Sequence, residues 1–318
     1  MTPRISVIIP TFNRKELLLR CLKAYTLQTI PNGIFEVIVV DDGSTDGTTE
    51  AAIRQIGGFG FPFRIHRKVN GGPGSARNAG IELAQGDILL IVGDDIIPQE
   101  NLLAEHLHWH EERHPDLHVG ILGFVSWPPD PRPTPLMEWL NLGYQNAFHL
   151  LRHGETVNWR YTYTGNISLK RRFLLETGER FDPRLPPYGY EDIEWGYRLM
   201  KKGFVMKFNR DAGGYHHHQL TLEQSFLRME KVGLAARVLR GIDPELHGIL
   251  MKELLPEPLW QRLLVAMGTH PLVARSLFLP LARHFEQRRI QSAVFSLAHL
   301  YFFRRGYGGK AFSSLFPG

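Results

Sequence analysis

This 318-residue chain has one cysteine, Cys21. An internal disulfide framework is therefore excluded, and the composition fits a reducing compartment, so the cytoplasm is the expected location. Cys21 falls in an apolar-periodic helical stretch, the setting of a buried structural thiol rather than a nucleophile. No apolar run reaches the length needed to span a bilayer, and Met1–Arg4 lead into Ile5–Ile9, which reads as a strand and not as a signal peptide. The chain has no internal repeat and no low-complexity segment. Neither G-x-G-x-x-G nor the P-loop pattern occurs, which excludes those dinucleotide and Walker sites. No Ser/His/Asp or Cys/His constellation stands out for covalent catalysis. Helix-turn-helix, RNP and zinc-knuckle patterns are missing too, so nucleic acid is not an expected partner.

What is present is an ordinary globular composition, 43% apolar and 22% charged. The net charge of +5 is uneven. Residues 1–220 carry 24 Lys/Arg against 25 Asp/Glu, whereas residues 221–318 carry 13 against 7. The basic excess thus lies in the tail, where it suits an acidic surface such as lipid head groups.

Buried strands are expected at Ile5–Pro10, Phe35–Val40, near Phe63–His66, and at Ile88–Val92, with helical periodicity between them. Strands alternating with helices at short spacing predict parallel βαβ units and a doubly wound sheet. Its ligands would collect outside the carboxyl ends of the strands. Asp41-Asp42-Gly43-Ser44 follows the second strand and Gly93-Asp94-Asp95 the fourth. Each pair reads either as an Asp-rich turn or as a ligand site. Acidic side chains at a strand end suit a ribose or base, and paired carboxylates suit a hard divalent cation completed by substrate phosphates. The Gly-rich segment Asn70–Gly80 permits close backbone approach, with Arg77 placed either to reach a diphosphate or to make a structural ion pair.

Farther along, five prolines between Pro128 and Pro135 mark an extended loop or lid. Trp139 to Leu151 read as an amphipathic helix, Tyr161 to Leu169 as a strand, and Arg171 to Thr177 as a helix. Glu191 and Asp192 fall in the first turn of another helix, where its dipole favours ionised carboxylates. A short strand at Val205–Phe208 precedes Tyr215-His216-His217-His218, and from Thr221 the pattern is helical. His110-Glu111-Glu112-Arg113-His114 spells the zincin pattern H-E-x-x-H, but local histidine enrichment, the following Pro115 and the lack of a third ligand favour a solvated helix face.

Taken in order, Ser6-Val7-Ile8-Ile9-Pro10-Thr11-Phe12-Asn13, Val40-Asp41-Asp42-Gly43-Ser44-Thr45-Asp46 and Asn70-x-Gly72-x-x-x-Ala76-Arg77-Asn78-x-Gly80 are followed by Gly93-Asp94-Asp95, Thr164-Gly165-Asn166-Ile167-Ser168-Leu169 and Tyr190-Glu191-Asp192-Ile193-Glu194. Over roughly residues 4–220 this series resembles the family 2 inverting glycosyltransferases of the GT-A fold. The resemblance implies an α/β fold with a Rossmann-like, mixed and mostly parallel sheet flanked by helices. Residues 1–220 would form the transferase domain and residues 221–318 a helical extension. It implies a nucleotide-diphosphate sugar donor, UDP-linked by family frequency, and a glycan, glycolipid or lipid-linked acceptor. Pro10, Thr11, Phe12, Asp41 and Asp42 would line the nucleotide, with Arg77 near the diphosphate and Gly165 and Asn166 forming a wall near sugar and acceptor. Asp94 and Asp95 fall on the DxD motif, although Gly93 replaces its usual first Asp. Asp95 would hold Mn2+ or Mg2+, with His216 or His218 completing the shell. Asp192, beside Glu191, would be the general base.

Two other activities remain open on the sequence, a nucleotide-sugar binding module without catalysis and a sugar nucleotidyltransferase. The second opens with a Gly-rich, Arg-containing loop, where this chain has Pro10-Thr11-Phe12-Asn13-Arg14. The apolar stretches Leu255–Met267 and Ile290–Phe303, near Arg283, Arg288, Arg289, Arg304, Arg305 and Lys310, read equally as helices lying peripherally on the inner face of the cell membrane or as helices packed on protein.

Overall fold

The computed structural model describes residues 2–142, 147–254, 265, 267–285 and 292–308. They divide into two compact units. The first comprises Met1–Arg132, Asn146–Pro183 and Asp192–His218; the second comprises Pro133–Gln145, Arg184–Glu191 and Gln219–Gly318.

The first unit is built on a nine-stranded mixed sheet. Its parallel half contains β1 (Ile5–Thr11), β2 (Phe35–Asp41), β3 (Phe63–Arg67) and β4 (Ile88–Val92), in spatial order β3-β2-β1-β4. The centre of this half is buried on both faces, as its unbroken Val/Ile/Leu runs predict. Helices α1 (Lys15–Tyr25), α2 (Thr48–Ile53) and α3 (Pro73–Leu83) make the crossovers. Cys21 is buried on α1 and donates to the Ile96 carbonyl at 3.2 Å. Burial, with Asp94 and Asp95 nearby, pushes its pKa well up, so the thiol stays protonated.

The sheet continues through β5 (Ile96–Pro98), β6 (Val119–Ser126), β7 (Thr156–Val157), β8 (Asn166–Lys170) and β9 (Val205–His216). Strand β8 runs antiparallel to β4 and β6, and β9 lies parallel to β6. Helices α4 (Leu102–His108), α6 (Arg171–Thr177) and, after its first residue, α7 (Glu191–Lys201) also belong to this unit. Three expectations shift here. The strand expected at Tyr161–Leu169 starts only at Asn166, after a 3-10 turn at Trp159–Tyr161 whose Asn158 side chain accepts from Arg160 N–H. The helix expected over Trp139–Leu151 is a helix at Pro135–Leu140, capped by Thr134, and a separate 3-10 turn at Phe148–Leu150. The short strand at Val205–Phe208 instead runs twelve residues, because a bulge lets it regain β6.

In the second unit, α5 (Pro135–Leu140) is followed by α8 (Leu222–Ile242), α9 (Pro244–Leu254), α10 (Leu279–Phe285) and α11 (Ser292–Tyr307). A capping box starts α8, with Thr221 and Gln224 exchanging side-chain and backbone bonds. Helices α8 and α11 cross closely at two glycines, since a Cβ on Gly233 would collide with the Phe303 carbonyl and one on Gly306 with that of Glu230. The apolar face of α11 is buried against protein through Phe295, Ala298, Phe303 and Tyr307. Of the nearby arginines, Arg283 meets Glu223 at 3.5 Å and Arg305 meets Glu230 at 3.2 Å. This helix therefore fits the packing alternative. Most of Leu255–Met267, with Ile290, Arg288, Arg289 and Lys310, lies outside the described residues. No described helix is long and apolar enough to cross a membrane.

Candidate active site at the carboxyl edge of the sheet

Strands β1 and β4 are parallel neighbours, so Thr11–Arg14 and Gly93–Asp95 leave the sheet at the same edge. Thr11 donates its hydroxyl to Asp94 at 2.7 Å. Arg14 reaches both acids through one nitrogen, 3.0 Å from Asp94 Oδ1 and 2.6 Å from Asp95 Oδ2. Strand β5 pairs antiparallel with the end of β9, which carries His216 to Asp95 from the other side. His216 Nε2 lies 3.3 Å from Asp95 Oδ2, and the backbone N–H of His217 donates to the Asp95 carbonyl at 2.8 Å.

The two buried acids diverge electrostatically. Burial lifts Asp94 to about 6, against the pull of Arg14. Burial would raise Asp95 too, but His216 and Arg14 outweigh it and hold that carboxylate well below the usual range. Arg14 loses by burial, yet the two carboxylates keep its guanidinium firmly charged.

The structure separates the two candidate histidines. His216 faces Asp95 and is sandwiched between rings, stacked on Trp127 at 5.0 Å and on His218 at 5.9 Å. His218 stands behind it, its pKa lowered by burial and by Arg14. Among the described residues, no group of three or more His, Cys, Asp or Glu side chains could hold a metal ion. Asp95 and His216 do converge as a pair. Their 3.3 Å separation is close to the ~3 Å between adjacent ligand atoms placed ~2.1 Å from one ion. The Asp95 carboxylate suits Mn2+ or Mg2+, and His216 would add an imidazole nitrogen beside it, with phosphate oxygens completing the shell.

Asp192 stands in the first turn of α7, and its Oδ1 accepts from the Ile193 N–H at 2.8 Å. The helix is fixed by its own side chains. Trp195 stacks on Phe181 at 4.3 Å, and Arg198 grips Glu194 at 2.5 and 2.9 Å while also pairing with Glu179. Gly196 lies against Thr162 so closely that a Cβ would overlap it. Tyr163 is pushed up to about 12, chiefly by burial, with smaller contributions from Tyr161 and the Asp192 charge. Glu191 accepts from the Gly189 N–H at 3.2 Å.

Several expected residues stand elsewhere or act differently. Asp41 is fully buried, and its oxygens take the Ser44 N–H at 2.8 Å and the Thr49 hydroxyl. Asp42 is almost as buried, holding Lys68 at 2.9 Å and the N–H groups of Gly71 and Gly72 at 3.0 and 2.7 Å. Both carboxylates therefore build the loops beside the site and do not present free oxygens to a ligand. Pro10 is partly buried and Phe12 is 45% exposed at the same edge. Arg77 lies over the Phe181 ring, 5.3 Å from its centroid. Gly165 accepts from the Gly93 N–H at 3.4 Å, whereas the Asn166 side chain is turned into the core and is not a wall residue. The zincin pattern is broken by a π turn at Trp109–Arg113: His110 points inward to Ser168 and His114 packs on Trp109. The residues that sequence reasoning missed are Arg14 and Trp127. Arg14 directly follows the Pro10-Thr11-Phe12-Asn13 segment, but only the fold brings it to acids 80 and 81 residues away.

A mixed sheet with acidic residues at the carboxyl edge of its parallel half is the architecture of the GT-A nucleotide-sugar transferases. The family model for glycosyl transferase family 2 matches residues 6–176, more than half of the chain, and the chain belongs to that family. It is 30% identical over 235 residues to validoxylamine A glucosyltransferase of Streptomyces hygroscopicus subsp. limoneus, covering 67% of this chain and 51% of the relative. Glycosyltransferase AglE of Haloferax volcanii is 29% identical over 215 residues, 67% of each chain. The chain spans between half and two thirds of the length of such curated relatives. Among solved structures, it resembles the mannosyltransferase PcManGT from Pyrobaculum calidifontis in complex with GDP-Man and Mn2+. That match has TM-score 0.62 and 20% identity, and covers 99% of this chain and 88% of the other. S. aureus TarS 1–349 in complex with UDP matches with TM-score 0.55 at 18% identity, covering 94% and 89%.

Proposed function

We propose that this chain is an inverting glycosyltransferase that moves one sugar from a nucleoside-diphosphate donor to an acceptor hydroxyl, with Asp192 as general base. The observation that carries the reading is the convergence of Asp94, Asp95, Arg14 and His216 at one sheet edge in a family 2 chain. A divalent cation held by Asp95 and His216 would neutralise charge developing on the leaving diphosphate. The complexes of its structural neighbours with GDP-Man and Mn2+, and with UDP, support such a donor and such an ion.

The chain's own residues do the rest. Arg14 is 37% exposed and meets the two acids through one nitrogen of a long, partly solvated side chain, so it can exchange Asp94 and Asp95 for the donor phosphates. Thr11 holds Asp94 in place from β1. Asp192, in the first turn of α7, takes the acceptor proton as that oxygen attacks the anomeric carbon from the face opposite the diphosphate. One displacement of this kind inverts the anomeric configuration, and it needs no covalent nucleophile. The donor is a UDP- or GDP-sugar and the acceptor a hydroxyl of a glycan or glycoconjugate. A cytoplasmic setting for the reaction agrees with the free, buried Cys21.

The test is release of nucleoside diphosphate from a panel of UDP- and GDP-sugars with Mn2+, Mg2+ or EDTA. Metal-dependent turnover of one donor is expected. Asp192→Asn should lower it by ~10²–10⁴-fold while calorimetric donor affinity stays nearly constant. Collapse of affinity instead would remove Asp192 from the role of base, and binding without turnover across the panel would favour a binding module.

A further inference from the structure

Behind the acidic pair, four buried side chains form a hydrogen-bonded file whose direction the structure fixes. Asn166 opens β8 opposite Val92, one residue before Gly93-Asp94-Asp95. Its Nδ2 donates to the carbonyls of Ala212 at 2.9 Å and Phe124 at 3.3 Å, which uses both of its protons. Oδ1 must then accept, and it faces His106 Nε2 at 2.9 Å, which therefore carries a proton. Burial keeps His106 neutral, with its pKa lowered to about 4, so its Nδ1 accepts from the Ser168 hydroxyl at 2.7 Å. That oxygen accepts in turn from His110 Nε2 at 2.8 Å. Donation runs one way from His110 to Asn166, and the tautomer of each ring follows from it.

The far end of the file sits at a break between β6 and β9. Gly123 stands opposite Asn209 but Phe124 stands opposite Gly213, so Arg210, Asp211 and Ala212 drop out of the ladder. The Asn166 amide bridges this break with one bond to each strand, and a Cβ on Gly123 would collide with it. Beyond the break, the two strands run on until Trp127 and His216 stack, with His216 against Asp95. At ~3.3 Å per residue, an offset changed by even one residue would move His216 away from that carboxylate.

We propose that Asn166, braced by His110, Ser168 and His106, is the positioning residue that sets the β6–β9 offset and so delivers His216 to Asp95. Its importance for transfer rests on the functional reading above, but its effect on His216 does not. Asn166 and His106 are almost wholly buried and act through His216.

The test uses the full chain with isotope-labelled histidine, the ring signal being assigned by comparison with His216→Ala. Stacking on Trp127 displaces the His216 ring protons upfield. Asn166→Ala should abolish that displacement, whereas His106→Gln, whose amide N–H can still reach Asn166 Oδ1, should preserve it. An unchanged His216 signal in Asn166→Ala would overturn the proposal. If that variant does not fold, Gly123→Ala presses on the same amide and should shift the same signal; an unmoved signal there would also overturn it. Calorimetry with UDP and GDP is a separate readout. Mn2+ should tighten binding in the wild type, and Asn166→Ala should lose that gain by ~10-fold, as His216→Ala does, with affinity in EDTA unchanged. No Mn2+ effect in the wild type would sink the metal reading alone, and the ring signal would still decide the role of Asn166.

Discussion

Two Asp-Asp pairs end two strands of the same parallel sheet, and the chain treats them in opposite ways. Asp41, which ends β2, is held within its own loop by the Ser44 N–H and the Thr49 hydroxyl, and Asp42 by Lys68 and the amides of Gly71 and Gly72 from the segment after β3. Asp94 and Asp95, after β4, are held by Thr11 at the end of β1, by Arg14 at the start of α1 and by His216 from β9. Backbone donors are built into a loop and cannot leave without unfolding it. A guanidinium on a long stem and an imidazole can exchange partners when a ligand arrives. The same dipeptide thus makes a rigid support in one place and an exchangeable site in the other.

The sharpest way to break this contrast is to exchange the kinds of damage. Asp95→Ala should cost donor turnover ~10²–10³-fold, as loss of a group acting on transition-state charge does, with little change in melting temperature. Asp41→Ala should do the reverse. It leaves a buried N–H and a buried hydroxyl without their acceptor, at ~1–3 kcal/mol each, so stability to urea falls sharply. If Asp41→Ala melted like the wild type and lost only turnover, the support role would be wrong.

A second variant sharpens the idea of exchange. Arg14→Ala leaves Asp94 and Asp95 without their guanidinium, and because Arg14 is partly solvated the cost should be about 1–3 kcal/mol. Mn2+ should then restore the melting temperature more in the variant than in the wild type. Equal metal shifts in both proteins would show that Arg14 does not stand in for a cation.

The smallest effect concerns the buried histidines that brace the fold. His106 and His299 are both lowered to about 4, chiefly by burial. A histidine depressed in the folded state binds its proton only in the unfolded chain between about pH 6.5 and 4. Unfolding therefore takes up protons in that window, and stability falls as pH falls through it. By pH 5.5 each should have cost about 1 kcal/mol, read as a lower urea midpoint, and His299→Phe should flatten part of the slope. A midpoint constant from pH 7 to 5 would contradict both assignments.

The parallel half was legible because its information is local. Apolar runs the length of a strand, broken by Gly, Asp and Pro, identify β1, β2 and β4 without knowledge of their neighbours. The second half was harder to read for physical reasons. The extent of β9 depends on a bulge stabilised by an amide on another strand, and the twelve-residue strand has no periodicity of its own that reveals it. The solvated helix face expected for H-E-x-x-H fails at His110, which is buried, because a π turn aims that ring at the buried Ser168.

The sequence alone determined the fold class, the family and the acidic residues at the strand ends, because these follow from hydrophobic runs and motifs contiguous in the chain. Tertiary structure alone decided that Asp41 and Asp42 turn inward, that His216 and not His218 meets Asp95, and that Arg14 bridges the acids. Apart from Asp41, whose Ser44 and Thr49 partners are near in sequence, each of those outcomes depends on a partner brought by another segment, and hydrogen bonds and charges act over a few ångströms of space whatever their separation along the chain.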